Sequence, residues 1–188
     1  MGGIAQAPAT FNMRVMRLLQ RLFQSAADPR ATMVPLYRSV VAEARQPDHY
    51  AAGGVPDTTD GRFAMVAHVL ALVLLRLERE GEPRAREAVL LTECFIADMD
   101  ASLREMGIGD VVVGKQIGKM MSLLGGITGA LRAVEAGRAP LAEVLTRNLY
   151  AGAPPGAEAV AHETGRIGAI AAALDQADVA RLISGTWQ

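Results

Sequence analysis

Three histidines, one cysteine and a scatter of carboxylates are the side chains of this sequence with reactive potential, and their spacing decides which chemistry is open to them. His49, His68 and His162 lie in three separate segments, and no GxSxG elbow, HExxH pair, phosphate-binding loop or CxxCH attachment site accompanies them. A haem-binding or hydrolase-type role would have to rest on these three residues alone. His68 sits inside an apolar run, where a histidine is expected to be a core residue with a local hydrogen bond. Cys94 has no second cysteine to pair with, which excludes an internal disulfide and a multi-cysteine zinc site. Asp98 and Asp100 are the most suggestive acids, yet on a helix they face different sides. Asp100 can pair with Arg104 one turn on, while Asp98 projects towards the side of Glu87 and Glu105. Carboxylates that diverge form neither an acid–base couple nor a dimetal cluster. The expectation is therefore a binding protein that is not an enzyme, with no cofactor.

Two surface patterns suit binding. Gly114, Gly118, Gly125 and Gly129 fall within about 60° of one another on a helical wheel, flanked by Lys115 and Lys119. Glycine in a helix costs about 1 kcal/mol relative to alanine, so a stripe of four implies a neighbour packed very closely. That neighbour is expected to be a helix of this chain, with a helix of a bound partner as the alternative. Near the start, Arg14, Arg17 and Arg21 oppose a stripe of Phe11, Val15, Leu18, Leu19 and Leu22, with no acid before Asp28. This basic amphipathic segment, residues 1–27, can pack on the body or rest on an anionic membrane surface.

The elements that would carry these residues are all helical. Apolar residues recur at helical spacing over residues 10–26, 33–46, 58–80, 84–106, 110–136, 141–150, 157–174 and 178–183. Pro47 is expected to close the second of these, and residues 47–57 to form a loop in which Asp57 caps the next helix, with Asp60 near the positive end of its dipole. The segment from Thr58 to Glu80 is apolar nearly all round, as a central helix should be. The fold class is all-α, a single compact domain of about seven to eight helices, with the basic N-terminal segment followed by a helical body over 28–188.

Composition agrees. The chain has 188 residues, 51% of them hydrophobic and only 4% aromatic, so the core must be aliphatic, which suits helices better than strands. A net charge of −1 supplies no field to gather nucleic acid. The longest apolar run, Phe63 to Leu75, is too short to span a bilayer. With no secretory signal evident, placement in the cytoplasm is expected, with peripheral contact at the inner membrane through the first helix.

Residues 36–77 and 95–120 together go beyond a generic helical protein. GVPDT followed by DGRF, then DMD, LREMG, GD and VGK in order, resemble the ubiquinol-cytochrome c chaperone family. The resemblance implies an all-helical assembly factor that binds newly made cytochrome b during biogenesis of the ubiquinol-cytochrome c reductase complex, aided by a small helper subunit. The positions it carries over are Tyr37, Arg45, Tyr50, Asp57, Asp60, Arg62, Asp98, Asp100, Arg104, Asp110 and Lys115, to which the stripe adds Gly114 and Gly118. After Met120 the family tends to carry an aromatic pair followed by Gly and Arg. Here the chain reads Ser122-Leu123-Leu124-Gly125-Gly126, without aromatic stacking groups.

Overall fold

Glycine and proline cut this chain into helices at nearly every place where they cluster. A computed structural model describes residues 28–187, and the basic segment with Arg14, Arg17 and Arg21 lies outside the described residues. Among those described there is no strand. The helices are α1 (Val34–Ala44), α2 (Pro47–Ala51), α3 (Thr59–Arg79), α4 (Ala85–Glu105), α5 (Asp110–Glu135), α6 (Leu141–Asn148), α7 (Ala157–Gln176) and α8 (Val179–Ile183). Short 3-10 turns at Pro29–Thr32 and Glu82–Arg84 lead into α1 and α4.

Pro47 does more than close α1. It also stands first in α2, where its missing N–H is one that no helical bond would use. The expected loop therefore contains a helical turn, and that turn buries His49. At the next start Thr58 is the cap, its hydroxyl accepting the Gly61 N–H at 3.1 Å. Asp57, the expected cap, instead receives the Arg62 Nε at 2.5 Å. Asp60 lies in the first turn of α3, as expected from the dipole.

α3 forms the axis of the molecule. Its buried residues, including Met65, Val66, Val69, Leu70, Val73 and Leu77, run all round the helix because α1, α4, α5 and α7 pack against it. His68 is sealed among them with its Nδ1 2.7 Å from the Ala64 carbonyl, the core position expected of it. Burial pushes its pKa down to about 4 against the opposing pull of that carbonyl, so the ring is neutral near pH 7. α8 and the following turn fold back onto α1. Trp187 is buried there and donates its Nε1–H to Ser39 Oγ at 2.8 Å. Gly185 makes the return possible, since its φ is +75° and a Cβ would stand 2.6 Å from the Pro35 carbonyl oxygen.

One arginine ties the axis to the end of α7. Arg76 donates from Nε to the Leu174 carbonyl at 3.0 Å and from a terminal nitrogen to the Ala177 carbonyl at 3.3 Å, while also pairing with Glu80. These are carbonyls at a helix end that lack partners within their own helix. Arg76→Met keeps the apolar stem and removes the fork, and should cost about 2–3 kcal/mol in urea unfolding. A loss below about 0.5 kcal/mol would mean that water satisfies those carbonyls equally well.

Candidate docking site

α1 and α4 lie side by side without closing the gap between them. Val34, Arg38, Val41 and Arg45, spaced three or four apart, form one wall, and Cys94, Ala97 and Asp98 form the other. The cleft holds about 480 Å³. It is continuous through Val41, Arg45 and Asp98 with a second hollow of about 230 Å³, floored by Phe63, Val66, Met99, Leu103, Met106 and Met120. Arg45 and Arg62 then border a third hollow beside Tyr50 and Asp57. The result is a trough across five helices with an apolar floor and charged rims.

Local sequence accounts for its shape. Phe63 tilts against Phe95 with ring centroids 5.8 Å apart, which supports the floor from beneath. Three of the floor residues are methionines, unbranched and able to adapt to irregular shapes. Tyr37 is buried at the wall and donates its hydroxyl to Asp98 Oδ2 at 2.7 Å. Burial, with that carboxylate beside it, pushes the tyrosine pKa upward. Asp98, which projects away from the Asp100–Arg104 side of its helix, thus fixes one helix against another. Tyr50 donates to the Ala44 carbonyl at 2.8 Å and closes the end of α1.

Six of the carried-over residues, Tyr37, Arg45, Tyr50, Asp57, Arg62 and Asp98, meet around this trough. Asp100, Arg104 and Asp110 do not line it. Arg104 grips Asp100 through Nε at 2.6 Å and also pairs with Asp110, so the three brace the corner between α4 and α5. Asp60 is exposed in the first turn of α3 and is not among the residues that line the trough.

The corner opens onto bare apolar surface. Met106 is 55% exposed, Val111 93% and Val112 47%, all at the mouth of the trough or on the first turn of α5. Beyond them runs the glycine stripe. A methyl group built on Gly114, Gly118, Gly125 or Gly129 meets no atom within 4 Å. Among the described residues the expected neighbour from this chain is therefore not found, because α5 packs on α3 and α4 through its opposite side, by Val113, Leu124, Ile127 and Leu131. Lys115 and Lys119 are exposed beside the stripe.

A cluster of titratable groups lies elsewhere, between α1, α2 and α7. His49 Nδ1 stands 2.8 and 3.1 Å from the two oxygens of Glu163, and its Nε2 is 3.6 Å from Glu43. Arg166 donates to Glu43 at 2.8 Å, and His162 meets Asp48 at 2.9 Å. Burial pulls the His49 pKa down, but the hydrogen bond to Glu163 and the nearby Glu43 carboxylate outweigh it and raise the value to about 9. Neither His49 nor the Glu163 side chain has accessible surface, so no substrate atom can reach them. The group is an internal brace. Sequence reading missed it, since its members lie up to 123 positions apart and nothing local marks the pairing. Arg38 and the methionine floor were also missed, although Arg38 shares a wheel face with Val34, Val41 and Arg45.

Comparisons with known proteins add to this geometry. A family model described as ubiquinol-cytochrome C chaperone matches residues 51–188. The crystal structure of the Cbp3 homolog from Brucella abortus superposes with a TM-score of 0.67 at 30% sequence identity, over 91% of this chain and 93% of that one. No curated protein matches the chain by sequence.

Proposed function

Because the chain belongs to the ubiquinol-cytochrome C chaperone family, we propose that it acts as an assembly chaperone that holds cytochrome b by surface docking during biogenesis of the ubiquinol-cytochrome c reductase complex. The observation that carries this reading is the methionine-floored trough opening onto exposed Met106, Val111 and Val112. Contiguous bare apolar surface at a charged rim is what an apolar helical client requires of a partner that performs no bond-making. The open face of α5, with Gly114, Gly118 and Lys115, extends that surface and admits a client helix at close range.

No helix among the described residues is long and apolar enough to cross a membrane. In this proposal residues 1–27 meet the inner-membrane surface from the cytoplasmic side through Arg14, Arg17 and Arg21. Residues 28–188 form the docking body, and a small helper subunit assists. Flotation with anionic liposomes tests the first part: removing residues 1–27 should abolish co-flotation, and binding unaffected by salt would refute an arginine-led contact.

The docking reading itself is tested in the source organism. Loss of the gene should lower ubiquinol-cytochrome c reductase activity and the level of cytochrome b, and unchanged activity would overturn the proposal. In a complemented strain, Met106→Asp with Val112→Asp places two carboxylates on the exposed surface at the mouth of the trough. Recovery of cytochrome b with the tagged protein should fall about tenfold or more while the melting temperature is unchanged, the size expected for losing one interface anchor.

A further inference from the structure

The rims of the trough are not equally charged. Arg30 is held in a fork by Asp28, with bonds of 2.7 to 3.0 Å, and Arg62 is held by Asp57. Arg38 and Arg45 are exposed on the α1 wall and make no hydrogen bond or ion pair among the described residues. They stand seven positions apart with Val34 and Val41 on the same face, so their Cα atoms are separated by about 10 Å along the helix. Two carboxylates line the cleft with them: Asp28 is taken up by Arg30, and Asp98, on the opposite wall, accepts the Tyr37 hydroxyl. Neither pairs with Arg38 or Arg45 among the described residues, so the two cations are left uncompensated.

We propose that the α1 wall seats the acidic, apolar-ridged face of a helix from a partner polypeptide, with carboxylates two turns apart meeting Arg38 and Arg45 and apolar side chains entering the cleft between α1 and α4. This rests on the docking reading above and adds the chemistry of what docks. Charge complementarity selects the occupant. Two arginine forks two helical turns apart, with Val41 between them and Val34 one turn before, match a helix carrying acids seven residues apart. One phosphate group is too small to engage both. The cleft of about 480 Å³ has room for a few inserted side chains rather than a whole helix, as ridge-in-groove docking requires.

The experiment titrates the full chain, by fluorescence anisotropy, with a designed amphipathic helical peptide carrying two Glu residues seven apart beside a Leu and Val ridge. A Gln analogue and a Lys analogue serve as comparisons. The Glu peptide should bind about tenfold more tightly than the Gln analogue, the scale of a well-placed interfacial charge pair, and the advantage should shrink as salt is added. The double variant R38E/R45E should reverse the preference and favour the Lys analogue, with R38Q/R45Q abolishing discrimination in case reversal disturbs the fold. Equal binding of Glu and Gln peptides overturns the inference. So does failure of the reversal, or binding of R38- and R45-dependent strength to phosphatidylglycerol vesicles but not to the peptide, which would make the occupant a membrane. Cytochrome b recovery with the Met106 and Val112 variants is read separately. Its loss alongside charge-blind peptides leaves the docking reading standing and the inference refuted.

Discussion

Replacing Glu163 by alanine should cost the protein about 3–5 kcal/mol, the penalty for leaving one half of a buried ion pair without its partner. The side chain has no accessible surface and takes the His49 ring in its two oxygens. Its removal leaves His49 in a sealed site with only Glu43, 3.6 Å away, to offset its charge. Against a typical total of about 5–15 kcal/mol, the loss is a large fraction of what holds α7 to α1 and α2. No alternative packing is at hand: Gly53 is already so near that a Cβ there would stand 2.3 Å from Glu163 Oε2. Urea unfolding near pH 6.5 measures the effect, and a change under 1 kcal/mol would show that the brace is ornamental. The pH profile gives an independent check. The pKa of His49 is raised in the folded state from 6.5 to about 9, so its contribution is complete below pH 6.5 and is lost as pH climbs through 9. His68 works in the opposite sense. Its folded pKa is lowered to about 4, so its contribution is complete above pH 6.5 and is lost as pH falls towards 4. Stability should therefore peak near pH 6.5, and Glu163→Ala should flatten the alkaline limb while leaving the acid limb in place.

The second large effect has the opposite sign. The fourfold variant G114A/G118A/G125A/G129A should be more stable than the natural chain by about 2–4 kcal/mol, because each alanine removes backbone freedom from the unfolded state and each new methyl enters open space. For a domain of this size that is a rise of about 5–15 °C in melting temperature by calorimetry. A fall would mean that the stripe already touches something in the free protein. Cytochrome b recovery with the same variant separates two demands on one helix. If the bare face admits a client at close range, the added methyls should reduce recovery even as they stabilise the body.

Much of the architecture could be read from residue types, and the exceptions have specific causes. The ends of α3, α4 and α5 fall within about a residue of their expected places, because Gly and Pro stop a helix for reasons internal to the backbone. Pro47 misled because the property that closes one helix also suits the first position of another. Asp57 and Thr58 are both good capping residues, and only the proximity of Arg62 settles which does the capping. The partners of Asp98 and His49 depend on tertiary structure, 61 and 114 positions away, and no local pattern encodes them. The glycine stripe was visible as a pattern. What it could not convey is whether the chain itself fills it, since small residues set how near a neighbour can come and not which neighbour arrives.

The central place of α3 has a consequence in time. Roughly 100 residues separate its last residue, Arg79, from the end of α7, the helix that completes its cover. At translation rates of about 5–20 residues per second, the most apolar segment of the chain waits on the order of 5–20 s before its burial can be complete. During its own synthesis a protein of this design has the same need for shelter that it is proposed to meet in another.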